Sequence, residues 1–230
     1  MGWAKAASFA TLNGPFIHDR SCTMYIPPAF KDTELASIHA TIRGARLANF
    51  VTSTASGLLC TPLPLFFDER EGEHGVLYGH VAKANPQWKE TALGEALAIF
   101  NGPDAYVTPS WYVSKREHGK VVPTWNYVAV HAYGQVEFFE DADRLYEVIT
   151  RLTNLYEHPR AESWAVTDAP ADFIKSQLRG IVGLRMPIAR IDAKRKMSQN
   201  RSEADRAGVV AGLAESDRES DRVVARMIPL

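Results

Sequence analysis

Arg46-Leu47-Ala48-Asn49-Phe50-Val51-Thr52-Ser53-Thr54 and Leu58-Leu59-Cys60-Thr61-Pro62-Leu63-Pro64-Leu65-Phe66-Phe67, separated by Ala55-Ser56-Gly57, decide the fold class. Both runs are rich in apolar, β-branched and aromatic residues, and the Ser-Gly between them suits a tight turn, so they read as a β-hairpin. A hairpin is antiparallel; a parallel pair would need a crossover of about a dozen residues or more. Pro62 and Pro64 donate no ladder hydrogen bonds, which predicts an edge or bulged second strand.

Working outward, residues 32–43 read as a helix, with Asp32 capping it, Leu35, Ile38 and Ile42 on one face, and Gly44 stopping it. Strands are expected at 76–83 and 96–100, with 106–108 extending the latter, and then at 128–139 and 180–192. Residues 85–91 read as a short helical crossover, and 109–123 as a loop carrying Trp111, Tyr112, Lys115, Arg116 and His118. Leu145, Val148, Ile149, Leu152, Leu155 and Tyr156 give helical periodicity to 141–156. Trp164 and Phe173 are expected to be buried, and a last helix covers 202–213. The order, with hairpin links and no βαβ rhythm, predicts a mainly β (α+β) chain: a split antiparallel β-barrel with peripheral helices. The expected organisation is a disordered or peripheral extension over 1–23, one domain over 24–213, and a charged tail over 214–230 with a short amphipathic piece at 223–227.

The 230 residues carry a formal charge of −1, so global electrostatics draw the chain to neither nucleic acid nor membranes. No run of about 18 apolar residues suggests a membrane span. Asn13-Gly14-Pro15 breaks any signal-peptide core in the first 23 residues. Two cysteines, Cys22 and Cys60, are too few for a disulfide scaffold; they read as reduced thiols in a cytoplasmic protein, Cys60 as a small packing residue. No GxGxxG opening a helix, P-loop, HExxH, CxxC or GxSxG is present, so no metal site and no catalytic residue is assigned.

Four groups of residues could carry chemistry. Tyr78 and His80 share a strand face, and Lys83, Asn85, Gln87, Trp88 and Lys89 follow: charge, amides and a ring suited to a phosphate on a flat heterocycle, or simply a solvated turn with Trp88 as filler. Trp111 and Tyr112, with Thr124, Trp125 and Asn126, flank one loop and would cover and edge such a ring, or form a mini-core or subunit interface. His131, between Val130 and Ala132, more often marks a hydrogen-bonded interior histidine than a ligand. The locally basic stretch from Arg185 to Arg201 holds Lys196, followed by Gln199, without a motif for reading bases.

Taken in order, Met24-Tyr25-Ile26-Pro27, Thr61-Pro62-Leu63-Pro64-Leu65, Leu77-Tyr78-Gly79-His80, Asn85-Pro86-Gln87-Trp88-Lys89, Phe100-Asn101-Gly102-Pro103, Thr108-Pro109-Ser110-Trp111-Tyr112, Pro123-Thr124-Trp125-Asn126-Tyr127-Val128-Ala129-Val130-His131, Gly180-Ile181-Val182-Gly183 and Lys196-Met197-Ser198-Gln199-Asn200 resemble the PaiB-type family of FMN-binding negative transcriptional regulators. The resemblance covers residues 24 to about 213. It implies a split barrel like that of flavin reductases and pyridoxamine-phosphate oxidases, a homodimer, and FMN in clefts between subunits. It carries His80, Lys83, Asn85, Trp88 and Lys89 over to the phosphate side. Trp111, Trp125 and Asn126 go to the ring side, partly across the dimer, and Tyr112, Thr124, His131, Lys196 and Gln199 complete the candidate cofactor-binding residues. The sequence departs from the oxidases, in which an Arg and a Lys flank the second strand. The implied function is regulation of transcription, through DNA or through a DNA-binding partner protein. The alternatives are an FMN-dependent oxidoreductase or flavin reductase using Tyr112, His80 or His131 for proton transfer, and a haem protein ligated by His80 or His131.

Overall fold

The computed structural model describes residues 24–230, so the expectations for 1–23 and for Cys22 lie outside the described residues. The predicted hairpin is present. After α1 (Leu35–Gly44), β1 (Ala48–Thr54) pairs antiparallel with β2 (Gly57–Leu63), and Thr54 faces Gly57 across a two-residue turn. Gly57 has φ +117°, a conformation that favours glycine. Asp32 does not cap α1: its carboxylate accepts from Glu34 N and Ser37 Oγ, and Glu34 is the N-cap. Ile38 and Ile42 are buried, but Leu35 lies on the solvent side.

Beyond β2 the chain turns at Pro64-Leu65 into β3 (Phe66–Asp68), which belongs to a different sheet. β4 (Val76–Ala82) follows, then a 3-10 turn at Pro86–Trp88, and then β5 (Ala96–Val107), one strand bulged at Asn101–Asp104 where Gly102-Pro103 interrupts the ladder. A short helix, α2 (Ser114–Glu117), interrupts the loop before β6 (Thr124–Gly134) and β7 (Glu137–Phe139). α3 (Ala142–Glu157) is capped by Asp141, whose Oδ1 accepts from Arg144 N at 2.9 Å. α4 (Ala171–Leu178) lies where mixed structure was expected, and Trp164 and Phe173 are exposed rather than buried. The run 180–192 is two strands, β8 (Ile181–Pro187) and β9 (Arg190–Lys196). Ser202 caps α5 (Glu203–Ala214), and the charged C-terminal stretch forms α6 (Glu219–Met227), burying Val224, Ala225 and Ile228.

Two antiparallel sheets result, in the orders β2-β1-β5-β6-β9 and β3-β4-β8-β7. The main core lies between them: Phe50, Phe100, Val130 and Ala193 from one sheet meet Phe67, Leu77, Val182 and Met186 from the other, with α1 inserting Ile38 and Ile42. Helices α3 and α4 cover the outer face of the four-stranded sheet, and α5 and α6 close the far ends of β5 and β6 over Tyr112 and Met197. The sheets form a split barrel that is not closed.

The outer face of the five-stranded sheet follows from cross-strand register. Leu58, Cys60, Val51, Leu97, Ile99 and His131 lie on it in successive strands. Leu58 is 74% exposed, and Cys60 is an exposed free thiol rather than a packing residue.

Candidate functional site

The strand alternation of β4 sends Leu77, Gly79 and Val81 into the core and Tyr78 and His80 to the face covered by α3. The Tyr78 hydroxyl donates to Glu71 at 2.5 Å and accepts from Arg185 Nε at 3.1 Å. His80 Nδ1 is buried without a hydrogen-bond partner, and burial pushes its pKa below the usual 6.5. The unfolded chain therefore takes up this proton first as pH falls. Stability is complete above the ordinary histidine range and declines as pH drops through it toward the folded value. His80→Leu is expected to flatten that decline between about pH 5 and pH 7. His131→Leu should do so less, because Asp192 beside it opposes the effect of burial. Urea midpoints across this range are the measurement; an unchanged slope in His80→Leu would refute the assignment.

The turn after β4 is held by its own amides. Asn85 Oδ1 accepts from Gln87 N and its Nδ2 donates to Thr61 Oγ1, both at 2.9 Å. Gln87 is fully buried; its Oε1 accepts from Thr61 Oγ1 at 2.6 Å, and its Nε2 donates to Thr52 Oγ1 at 3.1 Å and Phe50 O at 3.3 Å. These side chains fasten the turn to β1 and β2. Gln87→Leu would strand the buried Thr52 hydroxyl and Phe50 carbonyl and remove the acceptor of the partly buried Thr61 hydroxyl, and is expected to lower unfolding stability by about 2–4 kcal/mol, read by urea denaturation. The Trp88 indole donates to Lys83 O at 3.0 Å, with the Lys89 ammonium 5.3 Å from its ring. Lys83, half-exposed, pairs with Glu140. Of this group, Lys83 and Lys89 present charge to solvent, whereas Asn85 is occupied internally.

A second group lies at the opposite edge of the five-stranded sheet. In register, Tyr127 faces Lys196 and His131 faces Asp192, and Lys194 lies between them on the same face. Lys196 Nζ donates to Thr124 Oγ1 and to Trp125 O, each at 2.5 Å. Lys194 Nζ donates to Tyr25 O at 3.1 Å and lies 5.6 and 5.2 Å from the rings of Tyr25 and Tyr127. Among the described residues neither ammonium has a carboxylate partner. Burial, and then the charges of Lys194 and Arg201, depress the pKa of Lys196. Two adjacent, partly desolvated ammoniums without a counter-charge favour an anion. Trp125 is 49% exposed, edge-on to Tyr106 at 5.8 Å, and supplies a free aromatic surface. Lys194 and Tyr127 lie within the basic and aromatic segments singled out from sequence but are not among the expected site residues; the alternation that places Lys194 and Lys196 on one face is the signal that joins them.

The remaining candidates serve the framework. Tyr112 is buried with Arg201 4.8 Å from its ring centroid, so it offers no ring-side platform. Trp111 packs on α5, where a Cβ at Gly212 would come within 2.2 Å of its indole. Asn126 points into the interior and donates to Ser198 Oγ at 3.0 Å, holding a residue with φ 59°. Gln199 closes the same turn, accepting from Met197 N and donating to Arg195 O, both at 2.6 Å. Sequence spacing could not separate these inward side chains from their outward neighbours.

Residues 24–190 match the family model described as "Putative FMN-binding domain". The chain belongs to this family. It is 35% identical over 206 residues to the Protease synthase and sporulation protein PAI 2 of Bacillus subtilis, covering 89% of this chain and 96% of the relative. The fold is similar to that of the FAD and heme binding protein from Mycobacterium smegmatis, with TM-score 0.52, 14% identity, and coverage of 72% and 73% of the two chains. The flavocytochrome Anf3 from Azotobacter vinelandii gives TM-score 0.51 at 14% identity, covering 77% and 75%. Family membership makes this an FMN-binding protein with a split-barrel fold. The Lys194–Lys196 couple, without a carboxylate partner among the described residues, the Thr124 hydroxyl and the open Trp125 face fit a phosphate-bearing planar cofactor. Among the described residues no helix is long and apolar enough to cross a membrane.

Proposed function

We propose that the protein works as a homodimer, with FMN held between copies, and serves as a flavin-dependent negative regulator of transcription acting through a partner protein. The observation that carries the shared site is the separation of its two halves. The turn bearing Lys83 and Lys89 is anchored to β1 and β2, whereas Lys194, Lys196 and Trp125 lie on β9 and β6, at the other edge of five strands. At about 4.8 Å per strand, β2 and β9 are about 19 Å apart. A second copy packed on the apolar outer face of Leu58, Val51, Leu97 and Ile99 would bring one copy's turn to the other's β6–β9 edge. FMN would supply one- or two-electron redox chemistry, and the protein its binding and orientation.

The regulatory role is supported by the PaiB-type resemblance and by the Bacillus subtilis relative, whose name refers to protease synthesis and sporulation. The net charge of −1 favours action through a partner over direct binding to DNA. A second reading, an FMN-dependent oxidoreductase, draws on the half-buried His131 beside Asp192, with Tyr133 Oη 3.4 Å from its Nδ1. Absorbance titration of ligand-stripped protein with FMN tests the site. Saturable binding is expected, about tenfold weaker in Lys196→Ala and in Trp125→Ala. Undiminished binding in both variants would move the site elsewhere, and rapid NAD(P)H oxidation by loaded protein would favour the enzymatic reading.

A further inference from the structure

On the far side of the four-stranded sheet, α3 and α4 enclose a groove made of two adjoining pockets of 430 and 330 Å³. They share Ala142, Lys175 and Leu178. Val166, Ala169, Ala171 and Ile174 give the larger pocket an apolar lining, and Leu145 and Ile181 continue it into the smaller. Both volumes fall within the range of small-molecule sites, and an apolar lining with a few polar groups is their usual character.

The charges are not evenly placed. In the larger pocket Asp143 and Lys175 stand on opposite helices, and Lys175 is 4.0 Å from the fully exposed Asp172. In the smaller pocket Lys83 and Glu140 neutralise each other. Arg179, immediately after α4, has no ion-pair partner among the described residues. The apolar trough therefore ends on a guanidinium without a counter-charge, with the Lys175 ammonium beside it.

We propose that this groove binds an amphiphilic anion, an alkyl chain ending in a carboxylate, with the chain along Val166, Ile174 and Leu178 and the head group at Arg179 and Lys175. The site is separate from the β6–β9 edge; Lys83, at the rim of the smaller pocket and paired with Glu140, is shared with the turn used in the flavin assignment, and the variants below leave it untouched. Guanidinium–carboxylate pairing supplies orientation, and burial of the methylenes supplies most of the affinity.

The test is calorimetric titration of the full-length protein with sodium decanoate and, separately, with decylammonium chloride. Saturable one-to-one binding of decanoate is expected, with decylammonium about tenfold weaker. The double variant Lys175→Glu/Arg179→Glu should weaken decanoate about tenfold and reverse the preference. Ala142→Trp, a change at an exposed helix position that lines both pockets, should abolish binding while leaving the thermal unfolding midpoint in place. Absence of saturable decanoate binding, equal affinity for the two amphiphiles, or retention of binding in Ala142→Trp would each overturn the proposal.

Discussion

Protein carrying Lys83→Glu and protein carrying Lys196→Glu are each expected to bind FMN about a hundredfold more weakly, and to regain part of that binding when assembled together. The first substitution places a carboxylate beside Glu140, leaving negative charge where an anion would approach from the turn after β4. The second removes one member of the Lys194–Lys196 couple and inverts its field. If each site draws one residue from each copy, a mixed dimer holds one site with both lysines intact and one with both reversed. Random assembly makes about half the dimers mixed, so about a quarter of all sites in the mixture, and about half of those in isolated mixed dimers, should recover native affinity. Co-expression with two tags, isolation of the doubly tagged species and FMN titration measure this. A site contained in one subunit predicts no recovery, because every subunit would then carry a damaged site. The experiment thus separates a misplaced site from a misassigned architecture: weakening without recovery keeps the residues and rejects the shared cleft.

What the sequence made legible, and what it hid, follows from one property of split barrels. The hairpin β1–β2, the Asp141-capped α3 and the Ser202-capped α5 could be read because each carries its local signals within a few residues. Three expected strands, 58–67, 128–139 and 180–192, each proved to be two. In every case the chain leaves one sheet for the other, at Pro64-Leu65, after Gly134, and at Ile188-Ala189. The inward residues on both sides of such a corner face one core, so the apolar pattern continues while the pairing partners change. Leu65 and Ile188 are buried in that core and erase the boundary. The opposite error occurred at Trp164 and Phe173, where aromatic character suggested burial and the side chains face outward.

The site was legible as composition but not as geometry. Thr124, Trp125 and Lys196 were singled out from motifs, and the structure joins them through the Lys196 ammonium. Asn85, Asn126 and Gln199 belong to the same motifs, yet they hold turns, because a chain that presents lysines at a strand end must also fix the backbone beneath them. A single sequence does not distinguish the two duties; only the direction of each side chain does.

Gly134→Ala is expected to destabilise the protein by about 3 kcal/mol or more, whereas Gly44→Ala is expected to stabilise it by about 0.5–1 kcal/mol. The substitutions are chemically identical and differ only in surroundings. A Cβ at Gly134 would lie 2.0 Å from the backbone oxygen of Pro187, which is part of the chain and has no rotamer through which to escape. Relief requires the end of β6 to move away from the end of β8. That movement strains two neighbouring hydrogen bonds, Ala189 N to Tyr133 O at 2.8 Å and Ile188 N to Gly75 O at 3.0 Å. Both tie the corner at which β8 passes into β9, and β9 carries Lys194 and Lys196. Gly134→Ala should therefore also weaken FMN binding, although Gly134 is no part of the proposed site. Gly44, by contrast, ends α1 with nothing within 4 Å of the added carbon and no positive φ, so alanine restricts the unfolded chain without a steric penalty. Urea denaturation of the two variants beside wild type decides the matter. A Gly134→Ala midpoint close to wild type would mean that the sheets slide past this contact freely, and the corner would lose its place as the element that sets the geometry of the β6–β9 edge.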